Sequence, residues 1–131
     1  MNVQSAANQT QSKLILATRV LNTPVFGKNG EKLGHVDDIS IERVSGNSIY
    51  GIMSFGGFLG IGERFHPVPW AMLDYDPGMG GFVISMSEAD LKGAPHYSRE
   101  ELVPFGGESH QDVEQAIFDY YGRYGVVTPY W

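Results

Sequence analysis

The 131-residue chain contains no cysteine. That absence removes disulfide frameworks, CxxC redox pairs and thiolate zinc sites together, and it fits a reducing compartment. Positive charge is also scarce. Nine Lys and Arg stand against fifteen Asp and Glu, a formal net charge of -6, and the basic residues are scattered, so no stripe is available to neutralise phosphates. Nucleic acid is therefore not an expected partner. No apolar run approaches the roughly 20 residues that a membrane-spanning helix requires. Residues Met1 to Ser12 are rich in Gln, Asn, Ser and Ala and lack the basic and apolar regions of a secretory signal. The expectation is a cytoplasmic protein without a transmembrane segment, preceded by a disordered polar tail over residues 1–13.

Catalytic patterns are missing as well. The histidines His35, His66, His96 and His110 include no pair at the i, i+4 spacing of a helical zinc site. No serine sits in a GxSxG elbow. Asp37 and Asp38 are adjacent, so on a strand their side chains point to opposite faces and are poorly placed to share a proton or a metal. The segment Gly56-Gly57-Phe58-Leu59-Gly60-Ile61-Gly62 has neither the GxGxxG spacing nor the terminal Lys of a phosphate-binding loop. The reading is a protein that is not an enzyme and needs no metal or organic cofactor. An enzyme or small-ligand binder would instead require a polar pocket converging on His35, Asp37 or His66.

What the chain does have is β-sheet punctuation. From Pro24 to Met86, short β-branched and aromatic runs alternate with Gly, Asn and Pro, the pattern of a sandwich or small barrel. Strands are predicted near residues 24–26, 32–42, 48–55, 64–68, 74–76 and 82–86, forming one curved antiparallel sheet. Asn29-Gly30 is the strongest hairpin-turn signal. Val36 differs in parity from Ile39 and Ile41, so placing all three in the core requires an extra residue near Asp37-Asp38. Gly51 marks close backbone approach or a corner. Ser87 should cap a short helix over 88–92, with Asp90 completing a capping box, and residues 94–108 should be irregular. A second helix is predicted around 110–122, capped by Ser109. There Val113, Ala116, Ile117, Tyr120, Tyr121 and Tyr124 form one apolar stripe.

The segments Thr23-Pro24-Val25-Phe26, Asn29 to Ile39, Gly56 to Glu63, Val68-Pro69-Trp70 and Leu91 to Pro95 together resemble the PRC-barrel family. The resemblance covers roughly Leu16 to Tyr97. It implies an all-β fold, a small, highly bent antiparallel β-barrel, here with a short helix and a C-terminal amphipathic helix. The expected organisation is a polar tail over 1–13, the PRC-barrel domain over 14–97, and an irregular segment plus helix over 98–131. The family has no common catalytic residues to carry over and implies an interaction or assembly module. Its reaction-centre H-subunit members assist electron and proton transfer, which makes such an accessory role the alternative function, with a small-ligand binder or enzyme as a further one. The expected partner is another protein, including a second copy in a homodimer. Phe58, Leu59 and Ile61 of the glycine-rich loop are the candidate contact residues, with Tyr120, Tyr121 and Tyr124 as the competing surface.

Overall fold

The computed structural model describes residues 14–55, 64–102 and 111–126. Its framework is a six-stranded sheet: β1 (Pro24–Phe26), β2 (Lys32–Ile41), β3 (Ser48–Phe55), β4 (Arg64–Pro69), β5 (Asp74–Asp76) and β6 (Gly81–Val83), in the order β4-β3-β2-β1-β6-β5. The strand positions follow the Gly, Asn and Pro punctuation closely. Gly30 and Gly80 hold positive φ in the turns that lead into β2 and β6, a conformation glycine adopts without a Cβ penalty.

One pairing departs from the expected antiparallel sheet. β1 runs parallel to β6, with Val25 opposite Phe82 and Phe26 opposite Val83. The inner edge of β1 is already taken by β2. The chain reaches the other edge only after β2 to β5 have been laid down, by a crossover that enters in the same direction as β1. The ladder is also open rather than closed into a barrel. β4 and β5 are the edge strands and share no ladder among the described residues. β4 is ill-suited to closing one, because Pro67 and Pro69 have no N–H to donate.

The extra residue in β2 is Asp37. Val36 pairs with Met53 and Asp38 with Ile52, leaving Asp37 unmatched. The bulge returns Ile39 toward the core, where it packs partly buried. Ile41 does not follow. It is 54% exposed, contrary to the parity argument. A second register shift explains this: Ser40 pairs with Tyr50 but Ile41 with Ser48, so the pleat slips again at the strand's end.

Backbone proximity decides two glycine positions. A Cβ on Gly34 would be driven into the Ser54 carbonyl and would lie 3.1 Å from its carbon, while one on Gly51 would meet Leu73 Cδ1 at 2.5 Å. Strand β2 thus lies tight on β3, and the turn after β4 folds Leu73 over the middle of β3.

Among the described residues, four α-helices accompany the sheet: α1 (Ala17–Val20), α2 (Glu88–Lys92), α3 (Arg99–Leu102) and α4 (Gln111–Tyr121). At α2 the capping box is complete, since the Asp90 N–H donates to Ser87 Oγ (3.1 Å) and the Ser87 N–H to Asp90 Oδ2 (3.0 Å). The Ser87 N–H also holds the Asp90 carboxyl below its ordinary range. α3 falls where irregular chain was expected. Its start carries the same device, with Ser98 and Glu101 exchanging side-chain-to-backbone hydrogen bonds of 2.8 and 3.2 Å. The predicted cap of α4, Ser109, lies outside the described residues.

Val25, Val36, Met53, Val68, Ile84, Met86 and Leu91 share one buried cluster with Ile117 and Tyr121 of α4. The C-terminal helix therefore belongs to the same core as the sheet. Residues Tyr50 to Ser54 of β3 are all buried, so this strand is covered on both faces, as the middle of a two-sided core must be.

Candidate interaction surface

The aromatic stripe of α4 packs inward. Ile117 and Tyr121 are fully buried, and Val113, Phe118, Tyr120 and Tyr124 lie partly buried against the core. Ala116, assigned to the stripe by spacing, is exposed. Its place is taken by Glu114, which together with Ile117 and Tyr121 gives the i, i+3, i+7 line that faces the sheet. The Tyr50 hydroxyl donates to Glu114 Oε1 at 2.8 Å, and the Tyr50 and Phe118 rings lie 6.0 Å apart. A carboxylate inside an apolar stripe is tolerable only with such partners. Its spacing to Ile117 was visible in the sequence; its polarity hid it.

Of the candidate tyrosines, Tyr121 is committed to the interior. Tyr120 is anchored too, donating its hydroxyl to the Asp90 carbonyl at 2.6 Å while the Arg123 guanidinium covers its ring at 4.0 Å. Tyr124 borders an open cleft of about 420 Å³ lined also by Ala71, Met72, Asp74, Ser85, Gly125 and Val126. Phe58, Leu59 and Ile61 lie outside the described residues.

The Tyr121 hydroxyl is buried without a hydrogen-bond partner, and burial, reinforced by Tyr120 and Tyr124, pushes its ionisation upward. Leaving a buried hydroxyl unsatisfied costs about 1–3 kcal/mol. Tyr121→Phe is therefore expected to stabilise the chain by about 1 kcal/mol, read as a higher urea midpoint at unchanged slope. A lower midpoint would mean that the hydroxyl is satisfied in solution.

The polar residues that a ligand pocket would need do not converge. Asp37 forms a two-oxygen contact with Arg99 at 3.3 and 3.4 Å. His35 aligns with Ser54 and Phe65 across the sheet, whereas His66 aligns with Met53, which puts the two imidazoles on opposite faces. None of the three lines the cleft at Tyr124. Among the described residues, no group of three His, Asp or Glu side chains could hold a metal ion, and no helix is long and apolar enough to cross a membrane.

Other apolar side chains stand outside the core. Leu14 is 89% exposed, Leu16 73% and Val44 93%, and Ile15, Ile41, Tyr75 and Met79 are also exposed. The sequence reading named none of these as contact residues. The signal available was the run Leu14-Ile15-Leu16 directly after a polar tail.

These features define a small β-sheet domain whose C-terminal helix completes its core. The family model of the PRC-barrel domain matches residues 13–91, more than half of the chain, and the chain belongs to that family. The matched span holds all six strands and ends within α2, so α3 and α4 lie beyond it. No curated protein matches the chain significantly.

Proposed function

We propose that this chain is a non-enzymatic protein-interaction or assembly module that associates with itself. The observation carrying this reading is the apolar surface left outside the core, above all the consecutive Leu14, Ile15 and Leu16. Isolated exposed apolar residues are ordinary, but a contiguous group marks a contact surface. Phe58, Leu59 and Ile61 remain the primary contact residues of this reading, on the strength of the glycines interleaved with them in the sequence. Tyr124 and the ring of Tyr120 come second, and Tyr121 is withdrawn from the set by its burial. In the same reading the open ladder is the wall of a small PRC-type barrel.

Central apolar anchors are typically worth about 2 kcal/mol or more, about 30-fold in Kd each. Sedimentation across a concentration series should show a dimer in the wild type and a monomer for Phe58→Ser combined with Leu59→Ser, with unchanged circular dichroism. A wild type that stays monomeric at high concentration would eliminate self-association. Loss of folded structure in the double variant would assign the loop to the core instead.

A further inference from the structure

The segment of residues 94 to 98 meets the outer edge of β4 through a backbone bridge at Tyr97. The Phe65 N–H donates to the Tyr97 carbonyl at 3.1 Å, and the Tyr97 N–H donates to the Phe65 carbonyl at 2.9 Å. An antiparallel bridge of this kind makes the next residues neighbours on one side of the sheet. Those residues are His66 and His96, whose ring centroids lie 5.5 Å apart. On the other side of the bridge, Arg99 lies over the Phe65 ring at 4.4 Å and reaches Asp37. The contacts holding this strap include the backbone bridge, the imidazole contact and the Arg99–Asp37 ion pair, while Ala94 is buried in the core and Tyr97 packs partly buried against it.

His66 is the unusual member. It is 1% exposed, and neither ring nitrogen makes a hydrogen bond of ordinary geometry. Its neighbours are the Phe55 ring at 5.8 Å and, opposite it on β3, Met53. A neutral imidazole is tolerated there, whereas an imidazolium would need a counter-charge. The charged and titratable groups acting on it are His96 from the strap and Arg64 from its own strand, and both oppose the cation; the Pro95 carbonyl favours it. No carboxylate among the described residues offsets them. Asp37, the acid that does meet the strap, is engaged by Arg99 on the opposite side.

We propose that the strap is an acid-released latch: a proton taken from solvent by His66 expels its ring from the interior and opens the Phe65–Tyr97 bridge that ties the strap to β4. Expulsion and detachment are coupled because the ring leaves on the side where His96 and the bridge lie. The released state frees the N–H and carbonyl of Phe65 at the edge of the sheet, and Pro67 and Pro69 limit what the rest of that edge can donate.

The direction follows from the histidine's ionisation. Burial first, then His96, lowers it from 6.5 to about 4. The closed state thus binds fewer protons than the released state, and closure weakens as pH falls from the released value toward the closed one. Above about 7 the latch is shut. Between about 6 and 4 the opening constant should rise about tenfold per pH unit.

Hydrogen exchange and imidazole NMR on the full chain test this. Protection of the Phe65 and Tyr97 amides, relative to the Ile117 amide, should fall about tenfold per unit below pH 6, and His66→Phe should abolish that dependence. If His66→Phe does not fold, His96→Gln serves: removing the opposing imidazole should raise the titration point of His66 and flatten the dependence. The latch is overturned if His66 titrates near 6.5 with both amides still protected. It is equally overturned if the amide loss is unchanged in the variants, or if Ile117 loses protection in step, which would be global acid unfolding.

Discussion

Gly34→Ala is expected to destabilise the chain by more than about 3 kcal/mol, at the upper end of overpacking effects. The added Cβ would collide with the Ser54 carbonyl oxygen and would also press on Ser54 C at 3.1 Å and Phe55 Cα at 3.4 Å. All three atoms are backbone. A side chain could rotate away, but here strands β2 and β3 must separate, at the rungs His35↔Ser54 and Val36↔Met53 that precede the Asp37 bulge. Gly30→Ala is the control, since nothing lies within 4 Å of its Cβ position and only its φ of +82 penalises alanine, a cost of about 1 kcal/mol. Urea titration of both variants reads the difference. Equal midpoints would show that β2 and β3 are not held at the described spacing.

The second large effect concerns the C-terminal helix. Ile117→Ala should cost about 2–5 kcal/mol and Tyr121→Ala about 3–5 kcal/mol, as for buried residues whose sites cannot collapse. Both side chains are fully buried in the cluster that contains Val25, Met53 and Leu91. A chain ending at residue 97 removes both together with Glu114 and Phe118. Against total stabilities of about 5–15 kcal/mol, it should fail to fold cooperatively. A truncated chain that melts in one sharp transition would show that the matched family segment is self-sufficient and that α4 is an addition to it.

Local chemistry made most of the sheet readable. Turn glycines, the parity of Val36 against Ile39, and the Ser87–Asp90 pair each act within a few residues, so the strands, the Asp37 bulge and the capping of α2 followed from sequence. Ser98-x-x-Glu101 carried the same signature within the stretch expected to be irregular. The parallel seam between β1 and β6 was not legible, since pairing direction depends on how the chain crosses between distant strands. Nor was the fate of Ile41, which rests on a register slip at Ile49 on the partner strand.

The candidate site was harder to read for a related reason. Strand β4 reads Arg64-Phe65-His66-Pro67-Val68-Pro69, and every residue after Arg64 is buried. When both faces of a strand are covered, alternation no longer separates inside from outside. The burial of His66 was therefore not legible from alternation. Glu114 was left out of the predicted apolar stripe because it is charged.

The seam between β1 and β6 bears on the order of events during folding. The hairpins β1-β2, β2-β3 and β5-β6 each close over a short stretch of chain and form early. The two parallel rungs Val25↔Phe82 and Phe26↔Val83 unite them only after nearly the whole domain has been gathered. Loop closure must precede the contacts that reward it, so such pairings are slow. The meander of β1 to β4 and the β5-β6 hairpin are thus expected to form before the seam that joins them. Substitutions in the hairpins formed first should act mainly on the folding rate, and those at contacts made last mainly on how long the folded chain survives.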